Sequence, residues 1–186
     1  MLEIHPTGLD EVLEIRPGRH GDARGFFSEI WSRARFAEVG IDHDWVQDNH
    51  SMSAARGVLR GLHYQLPPAA QDKLVRVTRG SVYDVAVDIR RGSPTFGRWT
   101  GLVLSAELWN QALVPAGFAH GFVTLEDNVE VQYKVTAPYR PDLDRAIRFD
   151  DPAIGIDWPI DLAIVQLSAK DQAAPFLADA DFPDKW

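Results

Sequence analysis

The chain is predicted to fold as an all-β domain, a sandwich or barrel with a few short helices. Short segments in which apolar and polar residues alternate recur along its 186 residues. Gly, Pro, Asn and Asp residues separate these segments at regular spacing, which is typical of short strands joined by turns. A hydrophobic share of 45% is ordinary for a globular protein and provides a sizeable core. We therefore expect residues 1–186 to form a single domain that ends in a C-terminal extension.

The individual strands follow from this alternation. They are predicted over residues 26–31, 45–53, 58–65, 73–78, 81–90, 99–104, 118–125 and 129–135. The clearest is the strand over residues 81–90, in which one face carries Tyr83, Val85, Val87 and Ile89 and the other carries Val82, Asp84, Ala86 and Asp88. The Glu-Asp-Asn sequence at residues 126–128 is predicted to form a hairpin loop between the last two strands.

Helical segments are few and short. One helix is predicted over residues 33–39, and Gly40 supplies its C-terminal stop. A second is predicted to follow Ser168, whose side chain can cap the first turn. The tail, residues 173–186, is expected to lie on the surface and to pack partly through Phe176, Phe182 and Trp186.

Charge and composition exclude several classes of function. The net charge of -8 disfavours a nucleic-acid-binding protein, which needs a basic surface to neutralise phosphates. A small phosphorylated ligand remains possible, because two or three arginines suffice to bind it. The chain has no cysteine and therefore no disulfides and no thiolate chemistry. Neither a signal peptide nor a membrane span is recognisable, so we expect a soluble, cytoplasmic protein without a membrane partner.

Two segments that end in histidine resemble the paired motifs of cupin barrels. Residues 57–63 read GVLRGLH and residues 115–120 read PAGFAH, against the patterns G-x5-H-x-H and P-x-G-x-x-H. The first segment departs from the metal-binding form, because Gln65 stands where a second histidine would ligate the metal. A metal site needs about three or four protein ligands. The two segments therefore predict a cupin-like β-jelly-roll barrel that has an acid–base centre and no metal.

The neighbours of His63 indicate that it lines a cavity. Arg60, Tyr64, Gln65 and Lys73 surround it in the sequence, and a core strand does not tolerate so many polar groups unless it borders a cleft. A histidine that titrates near neutral pH in such a cleft is a candidate general base. For His120 the pattern is weaker and indicates a residue that shapes the site.

Over nearly its whole length the chain resembles the dTDP-4-dehydrorhamnose 3,5-epimerase family. The matching segments are DARGFFSE (22–29), QDNHSMS (47–53), RGVLRGLHYQ (56–65), QDKLVRVTRGSVYDVAVDIRRGSPTFG (71–97), LVPAGFAHGF (113–122), YKVTAPYRP (133–141) and LSAKD (167–171). The resemblance implies a homodimer of jelly-roll subunits. It also implies a dTDP-linked 4-keto-6-deoxyhexose substrate that is inverted at the two carbons beside the ketone, a reaction that needs no redox cofactor.

The resemblance also implies roles for four residues. His63 of the GLHYQ segment is expected to be the catalytic base, and Asp171 of LSAKD the carboxylate that orients it. Lys73 of QDKLV is expected to stabilise the enolate oxygen. Tyr133 is the candidate acid, since alternation along its strand points it inward with Val129, Val131 and Val135.

A further set of residues is expected to bind the substrate. It comprises Arg24, Glu29, Gln47, Asp48, Asn49, Arg60, His120, Asp144 and Lys170. Arg24 and Glu29 lie on an N-terminal strand that, by resemblance, comes from the partner subunit. Asp48 is expected to contribute backbone contacts, and Tyr139 or Phe27 is expected to stack on the thymine ring.

Two features of the sequence put parts of this site in question. Asp144 stands where the family often has a glutamate, which shortens the reach of the carboxylate. Strict alternation also places Arg60 and His63 on opposite faces of one strand. Both residues can face the substrate only if a bulge at Gly61 redirects one of them.

Three alternatives remain open from the sequence. A single-site epimerase, acting at carbon 3 or carbon 5, would keep the same base, lysine and tyrosine. A non-catalytic cupin that binds sugar nucleotides would need the arginines only. A metal-dependent cupin oxygenase or isomerase is disfavoured by Gln65.

Overall fold

The structure, a computed structural model, describes residues 2–186 and is built from two large antiparallel sheets. The strands run β1 (Glu3–Pro6), β2 (Leu13–Arg16), β3 (His20–Asp22), β4 (Gly25–Phe27), β5 (Gln47–Ser53), β6 (Leu59–Gln65), β7 (Lys73–Arg79), β8 (Ser81–Asp88), β9 (Trp99–Ser105), β10 (Gln111–Val114), β11 (Phe118–Thr124), β12 (Val129–Val135) and β13 (Asp144–Ala146). The helices are α1 (Arg33–Ala37) and α2 (Ala169–Gln172), with 3-10 turns at Leu162–Ile164 and Leu177–Asp179. None of the helices in residues 2–186 is long and apolar enough to span a membrane.

The two large sheets form a sandwich. One has six strands in the order β1-β2-β10-β7-β12-β5, and the other has five in the order β13-β6-β11-β8-β9. Strands β3 and β4 form a separate hairpin. The all-β class predicted from the sequence is confirmed, with two short helices at the predicted places.

Three apolar clusters account for the packing. The central cluster lies between the sheets and includes Val75, Val82, Phe122 and Val131. A second contains Ile15 of β2, Phe36 of α1 and Leu74 of β7. The third contains β8 residues such as Val85 together with apolar residues of the C-terminal part of the chain. Alternation on β8 explains this division, because Val82 and Val85 lie on opposite faces of the strand.

The C-terminal tail packs on the five-stranded sheet partly as expected. The ring of Phe182 stacks on Tyr64 of β6 with centroids 5.7 Å apart, and the Trp186 ring lies 5.9 Å from the same tyrosine. The Tyr64 hydroxyl donates to the carbonyl of Asp181 at 2.6 Å. Phe176, in contrast, is exposed beneath the guanidinium of Arg148.

The predicted hairpin between β11 and β12 is wrong. These strands belong to different sheets, so residues 126–128 carry the chain across the sandwich instead of joining paired neighbours. Asn128 adopts a left-handed conformation (φ 56°) there, and its N–H donates to the carbonyl of Ala54. Both strands present apolar residues to the same core from opposite sides, a pattern that alternation alone cannot distinguish from a hairpin.

Several other boundaries differ from the prediction. The strand expected over residues 26–31 is only the short β4, and its remaining residues are irregular. Strands β1, β2, β3, β10 and β13 were not predicted. Each has three or four residues, too few for a period of two to be recognised.

Candidate active site

One cavity of about 510 Å³ contains the polar residues of the two histidine motifs. Side chains from β5, from β6 and the residue before it, from β7, β11 and β12, and from α2 and the segment before it border the cavity. Its lining residues are Ser51, Val58, Leu59, Arg60, His63, Lys73, His120, Phe122, Tyr133, Gln166, Leu167, Ser168 and Asp171. The cavity therefore has polar groups capable of acid–base chemistry beside an apolar wall.

His63 and Asp171 form a hydrogen-bonded pair at the cavity. The Nε2 atom of His63 lies 2.6 Å from Oδ1 of Asp171, although the two residues are 108 positions apart in the sequence. A parallel bridge between Val58 and Gln166 places the segment before α2 alongside β6 and so brings Asp171 behind the imidazole. Because Nε2 is committed to the carboxylate, Nδ1 is the ring nitrogen left to exchange a proton with a substrate.

The surroundings of Asp171 keep it ionised. Its side chain is only 4% exposed, and this burial opposes ionisation. The hydrogen bond and charge of His63, with help from Ser168 and Lys170, nevertheless hold the pKa of the Asp171 carboxyl below its usual value. Ser168 also caps α2 by accepting a hydrogen bond from the Asp171 N–H at 3.1 Å, so the predicted capping role is confirmed.

A bulge at Gly61 brings Arg60 and His63 to the same cavity. His120 of β11 pairs with His63 and Phe122 pairs with Arg60, so β6 has one more residue than β11 between these pairs. Gly61 has a backbone φ of +128°, a value that residues other than glycine rarely adopt. The bulge that the alternation required is therefore present, and both side chains line the cavity.

Lys73, at the start of β7, is a buried ammonium at the cavity wall. Its side chain is 8% exposed, and Nζ donates to the carbonyl of His63 at 3.2 Å. Burial lowers the pKa of Lys73 to about 8, while the charges of Asp144 and Asp84 oppose this effect. A buried ammonium next to the candidate base is well placed to stabilise a developing oxyanion.

His120 forms a second imidazole–carboxylate pair with Asp84 of β8. Its Nε2 atom lies 2.8 Å from Oδ2 of Asp84, and the two side chains are 9% and 1% exposed. Because His120 is the cross-strand partner of His63, two such pairs lie side by side on adjacent strands. The first pair is the more accessible, since the His63 side chain is 32% exposed.

Tyr133 of β12 approaches the cavity from the opposite sheet. Alternation along β12 turns it to the inner side with Val129 and Val131, as predicted. Burial raises the pKa of the Tyr133 phenol; the charge of Arg60 opposes the rise, and that of Asp144 adds to it. The phenol is therefore protonated at neutral pH and can donate a proton.

The expected binding residues are only partly gathered at this cavity. Arg60 lines it and donates to Ser53 and to the carbonyl of Met52. Gln47 and Asn49 bond to each other at 2.8 Å on β5.

Asp144 of β13 lies beside the cavity and forms an ion pair with Lys170 of α2. The same carboxylate accepts a hydrogen bond from the Tyr139 hydroxyl at 2.9 Å. The negative charge of Asp144 raises the pKa of both Lys73 and Tyr133. The aspartate therefore still acts on the site electrostatically, although its side chain is shorter than the glutamate that the family often has here.

Three of the expected binding residues lie elsewhere in their own chain. Arg24 lies on the β3–β4 hairpin with its side chain 89% exposed and pairs with Asp22. Glu29 pairs with Arg35 of α1. Asp48 lies on the other face of β5, where it pairs with Lys134, because its neighbours Gln47 and Asn49 point inward.

Sequence reasoning did not single out Asp84 as part of the site. One signal was available: Asp84 lies between the apolar residues Val82 and Ala86 on the buried face of β8. A fully buried carboxylate on such a face needs a hydrogen-bonded or charged partner. The identity of that partner, His120, depends on the pairing of β8 with β11, which only the fold defines.

The fold and the site together define a cupin-like enzyme of the acid–base type, and comparison with known proteins gives the family. The model of the family described as dTDP-4-dehydrorhamnose 3,5-epimerase matches residues 6–179. A dTDP-4-dehydrorhamnose 3,5-epimerase of Sinorhizobium fredii is 53% identical over 182 residues, covering 96% of this chain and 91% of the relative. The chain belongs to the dTDP-4-dehydrorhamnose 3,5-epimerase family and is an isomerase.

Solved structures support the same assignment. The crystal structure of dTDP-6-deoxy-D-glucose-3,5-epimerase RmlC from Legionella pneumophila in complex with dTDP-4-keto-L-rhamnose superposes with a TM-score of 0.93 at 48% identity. The match covers 97% of this chain and 95% of that one. ChmJ, a 3'-monoepimerase from Streptomyces bikiniensis in complex with dTDP-quinovose, superposes with a TM-score of 0.87 at 36% identity, covering 94% and 87% of the two chains.

Proposed function

We propose that the protein epimerises a dTDP-linked 4-keto-6-deoxyhexose at both carbons beside the ketone, as in dTDP-L-rhamnose formation. The observation that carries this proposal is the arrangement of His63, Tyr133 and Lys73 around one cavity. A candidate base and a candidate acid thus come from opposite sheets, and the Lys73 ammonium lies in the wall of the same cavity. The names of the relatives and the ligand in the Legionella complex support the substrate class.

The first step is removal of a proton from a carbon beside the ketone. Nδ1 of His63 takes the proton, the C–H electron pair becomes the enolate double bond, and the carbonyl electrons move to oxygen. Asp171 stabilises the resulting imidazolium through its 2.6 Å hydrogen bond. General-base catalysis of this kind typically accounts for about 10²–10⁴-fold in rate.

The enolate oxygen is stabilised by Lys73. Its buried ammonium supplies a fixed positive charge in a partly dry site, where such interactions are strongest. The substrate ketone already acidifies its neighbouring hydrogens, and no oxidation or reduction takes place, so no redox cofactor is needed. Because Lys73 supplies the positive charge at the enolate oxygen, we propose a reaction without a metal.

Inversion requires a proton from the other face of the sugar. The Tyr133 hydroxyl donates it to the enolate carbon, the double bond becomes the ketone again, and a phenolate remains. The Tyr133 phenolate and the His63 imidazolium return to their starting states by exchanging protons with water. Repetition at the second carbon completes the double epimerisation.

We also infer a homodimer in which the β3–β4 hairpin of one subunit completes the site of the other. The support is that Arg24 and Glu29, expected to bind the nucleotide, lie away from the cavity of their own chain. Phe26 and Phe27 of the same hairpin are 52% and 69% exposed, and together they form an apolar surface that a partner subunit or a thymine ring would cover. We place the enzyme in the cytoplasm, where nucleotide-linked sugars are made.

The decisive experiment is proton exchange with dTDP-4-keto-6-deoxyglucose in deuterated buffer. We expect deuterium at both carbons that flank the ketone and inversion at both, detected by NMR of the product. Deuterium at one carbon only would indicate a single-site epimerase, an alternative that the similarity to a 3'-monoepimerase keeps relevant. Absence of exchange would refute the proposed reaction.

A variant of the base separates catalysis from binding. His63→Asn should abolish exchange at both carbons and leave the affinity for dTDP nearly unchanged, as measured by calorimetry. Exchange at the wild-type rate in His63→Asn would show that another group is the base. If the wild type binds dTDP but catalyses no exchange, the protein is a non-catalytic cupin.

A further inference from the structure

Two aspartates are fully buried on the inner face of β8, and they have different partners. Asp88 bonds to Arg90, Ser93 and Thr95, none of which lines the cavity. Asp84 accepts its hydrogen bond from His120, which lines the cavity, through Oδ2. The second oxygen, Oδ1, is buried and has no hydrogen-bond partner among residues 2–186. A carboxylate in such a place is costly unless a positive charge lies nearby.

The nearby positive charge is the Lys73 ammonium. Lys73 and Asp84 are both buried. Val75, two residues after Lys73 on β7, and Val82, two residues before Asp84 on β8, belong to the cluster between the sheets. The groups whose charges act on Lys73 are Asp144 from β13, Asp84 from β8 and Lys170 from α2. The titratable and charged groups that line the cavity with Lys73 are Arg60, His63, His120, Tyr133 and Asp171.

The two acidic neighbours of Lys73 are not equivalent. Asp144 is already paired with the ammonium of Lys170 and accepts a hydrogen bond from Tyr139, so its charge is partly neutralised. Asp84 has no such cation among its hydrogen-bond partners, since its contact is with the imidazole of His120. Its charge also lies in a drier environment, where Coulomb interactions are stronger.

We propose that Asp84 is a positioning residue of the epimerase, which orients His120 through Nε2 and supplies the buried negative charge that keeps the Lys73 ammonium protonated. This inference rests on the proposed function, because it assigns Asp84 to the support of the oxyanion-stabilising group. Asp84 acts through Lys73 and His120 and does not line the cavity itself.

The proposal has a direct consequence for pH dependence. Burial already lowers the pKa of Lys73 to about 8, and the negative charges of Asp144 and Asp84 limit that lowering. The ammonium is present below this pKa and is lost above it, so kcat/KM of the wild type should fall on the basic side near pH 8. Removing the charge of Asp84 lowers the pKa of Lys73 further and must move this basic limb to lower pH.

The test compares Asp84→Asn with the wild type in the deuterium-exchange and epimerisation assays. We expect kcat to fall at least about tenfold and the basic limb of kcat/KM to move down by at least about half a pH unit, with dTDP affinity within about twofold. Asp84→Glu retains the charge and should restore the basic limb without restoring the full kcat.

Asp88→Asn is the matched control, because Asp88 has the same chemistry, strand face and burial. It should lower the melting temperature and leave both kcat and the basic limb as in the wild type. If Asp84→Asn does not fold, Asp84→Ser, which also removes the charge, is measured with the same expectation.

The outcomes separate this inference from the function on which it rests. A wild type without exchange overturns the proposed function. A wild type that exchanges, together with a folded charge-removing variant at position 84 that keeps the wild-type kcat and basic limb, overturns the role of Asp84 alone. An equal shift of the limb in Asp88→Asn would also overturn it, since the effect would then follow from any buried charge on β8.

Discussion

The two imidazoles of the cavity differ in their access to solvent. The His63 side chain is about one-third exposed, whereas the His120 side chain is 9% exposed and is hydrogen-bonded to Asp84 of β8. A catalytic base must lose the proton it has taken before the next turnover, and this exchange requires water. The difference favours His63 as the base and leaves His120 to bind or polarise the substrate.

Replacement of the carboxylate behind His63 should therefore impair the proton-transfer steps selectively. Asp171→Asn is expected to lower kcat by about 10²-fold or more, because the imidazolium loses its ionised partner. Affinity for dTDP should stay within about twofold of the wild type. Steady-state kinetics and calorimetry provide the measurements.

The matched control for this variant is Asp179→Asn, which changes an exposed aspartate on a 3-10 turn and should keep the wild-type kcat. A full kcat in Asp171→Asn would show that the pair with His63 is not used in catalysis.

Removal of the Tyr133 hydroxyl should uncouple exchange from inversion. In Tyr133→Phe, His63 can still remove a proton and return one to the same face, so deuterium should enter the substrate without a change of configuration. NMR of the recovered sugar distinguishes the two results. Tyr83→Phe, on the opposite face of β8 from Asp84, is the control and should invert normally. Normal inversion in Tyr133→Phe would mean that another group is the acid.

At the scale of single elements, the bulge in β6 decides which side chains reach the cavity. A regular strand would turn either Arg60 or His63 away from the cavity, because they are three positions apart and side chains alternate between the two faces. The extra residue at Gly61 brings both side chains to the cavity. The sequence already indicated the need for a bulge, because alternation placed Arg60 and His63 on opposite faces although both were expected to face the substrate. The register of β6 against β11, with His120 opposite His63, could not be predicted from the sequence of β6 alone.

Substitution of Gly61 tests this element. An added Cβ would lie 2.5 Å from Cα of Gly121 and 2.8 Å from the carbonyl oxygen of His120, in a backbone conformation unfavourable to side chains. Gly61→Ala should lower the free energy of unfolding by more than about 2 kcal/mol and reduce activity.

Gly92→Ala is the control, because nothing lies within 4 Å of its added Cβ, and it should change stability by less than about 0.5 kcal/mol. Urea denaturation provides both values. Equal stability of the two variants would contradict a tightly packed bulge.

At the scale of the whole molecule, the position of Arg24 has a consequence for assembly. If the β3–β4 hairpin completes the partner's site, each site contains His63 of one subunit and Arg24 of the other. A mixed dimer of His63→Asn and Arg24→Ala subunits then has one intact site and one site that lacks both residues.

Refolding an equal mixture of these two variants should restore about a quarter of the wild-type activity at low substrate concentration, because half of the dimers are mixed. Neither variant alone should approach this value. Light scattering checks that the wild type is dimeric. A mixture no more active than the average of its components would argue against hairpin exchange.

The sequence by itself determined the fold class, the paired histidine segments and His63 as a candidate base, because alternation and local motifs depend on near neighbours in the chain. The resemblance to the family, which is also read from the sequence, added the roles of Lys73, Tyr133 and Asp171. Only the tertiary structure decided the contacts themselves: it pairs Asp84 with His120, brings Asp171 to within 2.6 Å of His63, and places β11 and β12 in opposite sheets. These contacts join residues 36 or more positions apart. They form because burial of the apolar sheet faces brings distant strands together, and no local pattern records which strands will meet.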